Sequence, residues 1–160
     1  MRGKTVVITG GTSGIGEVAA VALAKMGARI VLVARDKSRG DATLARLRNS
    51  APGIAHSVHF ADLLRLAEMK RAAAQIANHE SRIDILINNA GALFASRKVT
   101  EDGLEYSFAL NHIAYSLWQR DCANGSQPRP LHASLTRLPP RIRAPRWIST
   151  IFNRQRASES

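Results

Sequence analysis

Short apolar runs alternate along this chain with longer stretches in which apolar residues recur every three or four positions. Thr5-Val6-Val7-Ile8-Thr9 is rich in β-branched residues and predicts a buried strand. Behind it, Ile15, Val18, Ala19, Ala22, Leu23 and Met26 keep helical spacing and predict a helix with that set as its inner face. Gly27 breaks the pattern, and Arg29-Ile30-Val31-Leu32-Val33-Ala34 reads as a second buried strand. The two strands and their helix form a βαβ unit, whose right-handed crossover places the strands side by side and parallel. A second helix is predicted over 38–50, with Ser38 as its cap, Ala42, Ala45 and Leu47 as its apolar face, and Pro52-Gly53 closing it. His56 to Phe60 makes a third strand. Residues 65–79 make a third helix with Leu66, Met69, Ala73 and Ile76 on one face. Asp84-Ile85-Leu86-Ile87-Asn88 is a fourth strand. Thr100, followed by Glu101 and Asp102, reads as the cap of a further helix. Strands alternating with helices predict an α/β doubly wound parallel sheet.

The pattern gives out near Leu117, and composition changes with it. The net charge of +11 is unevenly spread. Residues 1–117 hold 15 Lys+Arg against 10 Asp+Glu, a net of +5. Residues 118–160 hold 8 Arg, no Lys and only Asp121 and Glu159, a net of +6. Five of the six prolines also fall there. The expected organisation is a folded unit over 1–117 and an irregular Arg/Pro-rich tail over 118–160. An out-of-frame read of a GC-rich gene, or an alternative exon, is the expected origin of the tail. Within it, only Trp147-Ile148 and Ile151-Phe152 form an apolar cluster that can dock on the sheet. The single Cys122 allows no intrachain disulfide. No stretch approaches the roughly 18 apolar residues of a membrane helix. These features lead to the expectation of a cytoplasmic protein. Nucleic acid is not an expected partner: the arginines could grip phosphates, but no recognition motif accompanies them.

Candidate chemistry begins at the first strand-to-helix turn, Thr9-Gly10-Gly11-Thr12-Ser13-Gly14-Ile15-Gly16. Glycines there allow a tight turn and bring backbone N–H groups close to a pyrophosphate at the positive end of a helix. Gly10, Thr12, Ser13, Gly14, Ile15 and Gly16 are accordingly candidate cofactor residues. At the end of the second strand, an acid would hold the ribose 2′-OH of NAD, whereas an arginine accommodates the 2′-phosphate of NADP. Ala34-Arg35 favours NADP over NAD, while Asp36 takes the acid's role if the strand runs one residue further. His56 and His59 have no partners at metal-site spacing and read as strand residues; no metal is expected.

The spacing Thr-Gly-x-x-x-Gly-x-Gly, with Asn88-Asn89-Ala90-Gly91 at the end of the fourth strand, resembles the short-chain dehydrogenase/reductase family. The resemblance covers residues 1–117 and implies a strand order of 3-2-1-4. It implies that Asp62 and Leu63 line the adenine pocket, that the side chains of Asn88 and Asn89 tie neighbouring strands together, and that the small Ala90 and Gly91, with Asn89 among the cofactor residues, leave room for the cofactor's sugars. The pair Asn111-His112 is similar to a branch containing retinol dehydrogenases and carbonyl reductases. It makes Asn111 the catalytic asparagine, whose backbone holds a water in a proton relay. The implied activity moves a hydride between NADP(H) and a small alcohol or carbonyl substrate. That chemistry also needs a tyrosine with a lysine four residues on, and a preceding serine. Tyr106 is followed at that distance by Leu110, and Tyr115 by Gln119; the last lysine is Lys98. Neither Ser134 nor Ser149 follows a recognisable fifth strand. The chain as written is therefore expected to be inactive; the alternatives are a non-catalytic dinucleotide-binding remnant and a basic tail that binds nucleic acid or acidic surfaces. Without a fifth strand, the fourth is expected to leave an open edge through which copies self-associate.

Overall fold

The computed structural model describes residues 1–123, with side chains through Asp121, and the backbone of Ala133–Thr136. Strands β1 (Thr5–Thr9), β2 (Arg29–Ala34), β3 (Ser57–Phe60), β4 (Ile85–Asn88) and β5 (Ala133–Thr136) form one parallel sheet in the order β3-β2-β1-β4-β5. Helices α1 (Gly14–Lys25), α2 (Lys37–Ser50) and α3 (Leu66–His79) alternate with the strands. After β4 come a single turn α4 (Tyr106–Phe108), a π-helical turn over Ala109–Ile113, and α5 (Ala114–Ala123).

The strands alternate their side chains between two cores. Val6, Ile8, Ile30 and Leu32 pack with Ala20, Ala24 and Leu47 under α1 and α2. Val7, Val31, Val33 and Leu86 pack with Met69, Ala73, Ile76, Leu117 and Trp118 under α3 and α5. Both faces of the sheet are thus covered, as a parallel sheet requires. Trp118, which the sequence pattern leaves outside the folded unit, is fully buried, and α5 runs past Leu117 to Ala123.

Several expectations are corrected. The inner face of α1 is Gly16, Ala20 and Ala24, not the predicted set; Ile15, Val18 and Met26 are exposed. Small residues win because they let the helix axis approach the sheet. In α2 the buried residues are Gly40, Thr43, Leu44 and Leu47, so Ala42 and Ala45 face outward. Its cap is Asp36 rather than Ser38, with the carboxylate accepting the Arg39 N–H at 2.8 Å. The helix expected at Thr100 starts at Tyr106 instead. Gly103 has φ 77°, which interrupts any helix, and Glu105 caps the later start by accepting from Ser107 and Phe108 N–H groups. Finally, β4 is not an open edge. Ala133–Thr136 pairs along it from Ile85 to Asn88, so the expected route to self-association is closed at that strand. Ser134 lies in β5; Ser149 and the Trp147 to Phe152 cluster lie outside the described residues.

At the opposite end of the sheet from the glycine turn, Asp84 is buried and accepts from Lys4 Nζ at 3.0 Å, Thr5 N–H at 2.9 Å and the Arg82 guanidinium. Burial pushes its carboxyl up. The Thr5, Arg82 and Lys4 bonds together outweigh that, holding it below the usual carboxylate range.

Candidate cofactor site

Where β1 ends, the chain must turn sharply to start α1, and Gly10 makes the turn with φ 65°. A Cβ at Gly10 would sit 2.7 Å from Ala90 Cα, so the loop after β4 can close on it only because Gly10 has no side chain. Gly16 is more tightly placed still. A Cβ there would lie 2.3 Å from both Gly10 O and Asn89 Nδ2. The third glycine therefore permits packing and does not line the groove described below. Thr9, Gly10 and the segment Asn89-Ala90 are stitched together. Asn89 Nδ2 donates to Gly10 O at 2.9 Å and Thr9 O at 3.3 Å, and Ala90 N–H donates to Thr9 Oγ1 at 3.1 Å. Asn88 was expected to tie strands in the same way, but its buried amide makes no hydrogen bond among the described residues.

These elements bound a groove of about 570 Å³ across the carboxyl ends of the strands. Gly10, Thr12, Ser13, Gly14, Ile15, Arg35, Asp62, Leu63, Asn89, Ala90 and Gly91 all line it. Of the predicted cofactor residues only Gly16 does not. Adjacent strands are about 4.8 Å apart, so from β3 to β4 the groove crosses roughly 14 Å of sheet. At the β2–β3 end stand Arg35, Asp36, Arg39 and the Asp62-Leu63 turn, which is fixed by Asp62 Oδ1 accepting the Leu64 N–H at 3.0 Å. At the β4 end stand Ala90, Gly91, Ala92, Phe94 and Leu110.

β2 ends at Ala34, one residue before Arg35, and the Asp36 carboxylate is occupied as the α2 cap. Asp36 lines the groove beside Arg35 while one of its carboxylate oxygens caps α2. Arg35 is exposed, and its guanidinium and that of Arg39 make no ion pair among the described residues. Arg39 escaped the sequence reading. The signal available was its place: Arg39 stands in the first turn of α2, directly after the short β2–α2 connection that carries Arg35.

Asn111 falls within the π-helical turn, and its carboxamide is locked to a backbone segment. Nδ2 donates to Ala92 O at 2.8 Å, and Oδ1 accepts the Ala92 N–H at 3.2 Å. It does not line the groove; Leu110 beside it does. Tyr115, one turn further along, donates its hydroxyl proton to Ala90 O. His56 and His59 have structural surroundings: His56 Nδ1 accepts the Ile30 N–H at 3.0 Å, and His59 packs edge-on to His79 with ring centroids 6.2 Å apart. Among the described residues no three metal-ligating side chains cluster, and no helix is long and apolar enough to cross a membrane.

The chain and its fold have counterparts among known proteins. Human retinol dehydrogenase 13 is 38% identical over 115 residues, covering 72% of this chain but 35% of its own length. A short-chain dehydrogenase from Sphingobium yanoikuyae, solved in complex with NADPH, is 41% identical with a TM-score of 0.65, covering 75% of this chain and 47% of that one. An NADH-dependent reductase solved with NAD is 28% identical with a TM-score of 0.64, covering 78% and 52%. The chain thus spans about a third to a half of the relatives it matches. The short chain dehydrogenase profile matches residues 4–124, which takes in β1 to β4, the groove and the whole of α5. This chain belongs to the short-chain dehydrogenase family.

Proposed function

We propose that this chain binds NADP(H) in the groove, in preference to NAD(H), and that these 160 residues bind without turning substrate over. The observation that carries the reading is the pair Arg35 and Arg39 at the β2 end, both without an ion-pair partner among the described residues. Two permanent cations facing one mouth favour a phosphate dianion, whereas a ribose 2′-OH calls for an acceptor. The cradle fits a pyrophosphate as well. Gly14 lines the groove with φ 54°, and a Cβ there would meet nothing within 4 Å, so the space beyond it is free for a ligand. Ser13 precedes and Gly14 begins α1, whose first N–H groups have no partner within the helix. Asp62 and Leu63 provide a polar edge and an apolar wall for an adenine.

Bound NADP(H) would exchange a hydride with an alcohol or carbonyl carbon. The chain's own residues do not supply the accompanying proton transfer. No Tyr-x-x-x-Lys is present, and a tyrosine of ordinary pKa near 10 is a weak acid/base at neutral pH without such a neighbour. Asn111, with its side chain committed to Ala92, is proposed to act through its backbone in holding a water, as in the family, and not through its amide.

The test is a charge reversal. Wild-type chain should bind NADP at least about tenfold tighter than NAD, since each charged hydrogen bond contributes about 1.5–3 kcal/mol. Arg35→Glu/Arg39→Glu should remove that preference while leaving NAD affinity nearly unchanged. Equal affinity for the two dinucleotides in the wild type contradicts the assignment.

A further inference from the structure

We infer that Tyr115 is a positioning residue for the β4 end of the groove, holding the wall segment Ala90–Ala92 in the shape that the nicotinamide half of the cofactor requires. The inference rests on the NADP reading above. Ala90, Gly91 and Ala92 line the groove, yet the segment lies beyond the end of β4, and among the described residues no sheet partner holds it there. Among those residues, three side chains attach it. Thr9 Oγ1 takes the Ala90 N–H, Asn111 takes both polar groups of Ala92, and the Tyr115 hydroxyl takes the Ala90 carbonyl.

Asn111 and Tyr115 are four residues apart and share one helix face, so they reach the segment together. The π-helical turn over Ala109–Ile113 sets their phase, and it also turns Leu110 to the groove. Tyr115 is buried, and its ring belongs to the core beneath α3 and α5. Its hydroxyl is thus anchored by packing and reports core position directly to the groove wall. Gly91 lies between the two attachments. A Cβ there would meet Asn111 Oδ1 at 2.8 Å and Tyr115 Oη at 3.2 Å, so the absence of a side chain is required by this clamp.

The two ends of the groove separate the clamp from the arginines. Arg35 and Arg39 lie beyond β2, on the far side of β1 from Ala90–Ala92. Tyr115→Phe keeps the ring in the core and removes the hydroxyl that holds the Ala90 carbonyl. In the full 160-residue chain it should weaken NADP by about three- to tenfold, as expected for one lost hydrogen bond. Adenosine 2′,5′-bisphosphate, which contains the adenine end alone, should bind as in the wild type. Hydrogen exchange should quicken at the Ala90 and Ala92 amides and stay unchanged at Val31 and Leu32 in β2. Equal weakening of both ligands, or no weakening of either with unchanged exchange, overturns the role of Tyr115. A wild-type chain that binds neither ligand overturns the NADP reading and this inference with it; binding in the wild type with no effect of Tyr115→Phe overturns this inference alone.

Discussion

At the scale of single residues, His56 is held neutral by its place in the fold. Burial pushes its imidazole below 6.5, and the nearby Arg29 charge pushes it further, while Nδ1 must stay unprotonated to accept the Ile30 N–H. Because the folded value lies below the unfolded one, this contribution to stability is complete above the unfolded value. It is lost as pH falls from there toward the folded value, since the unfolded chain takes up a proton that the native site rejects. His59, lowered first by burial and then by His79, acts in the same direction. The melting temperature should therefore fall between about pH 7 and about pH 5. His56→Asn, which offers an oxygen near the place of Nδ1, should flatten that decline; an unchanged slope in the variant would contradict the role given to His56. That Gly10, Gly14 and Arg35 lie along the groove was readable from local chain chemistry. That Leu110 lines it and Tyr115 stands behind its wall was not, because those placements depend on helix phase, and a π-helical turn shifts that phase by a residue.

At the scale of elements, the strands were more legible than the helix faces. β1, β2 and β4 are continuous β-branched or aliphatic runs, as expected for strands buried on both sides. Helix α1 offers two candidate faces, one of larger apolar residues and one of Gly16, Ala20 and Ala24. Size favoured the wrong one. The close approach of α1 to β1, needed to bring its first turn to the groove, admits only the small face. Ala20→Val should thus cost about 1–3 kcal/mol by overpacking. Val18→Ser, at a position 70% exposed, should stay within about 0.5 kcal/mol. Chemical denaturation of the two variants checks the assignment, and the reverse order of effects would restore the larger face. β5 was not legible at all: four residues without a long apolar run carry too little pattern, and only their pairing with β4 reveals them.

For the whole molecule, the order β3-β2-β1-β4 places the Arg35 and Asp62 wall and the Ala90–Ala92 wall on opposite flanks of β1, with the glycine turn between them. That arrangement, and the family to which it belongs, followed from two motifs at strand ends some 75 residues apart. Where the folded unit ends did not follow from them, since the composition changes at Leu117 while α5 continues and buries Trp118. The proposed function makes these 160 residues a nucleotide-binding unit without the proton donor for turnover. The most direct measurement is a fluorescence titration of NADPH with the purified chain, continued in the same cuvette after addition of a panel of aldehydes and ketones. Saturable binding with no protein-dependent loss of NADPH is the expected outcome. Absence of saturable binding, or NADPH oxidation that follows the protein concentration, would contradict it.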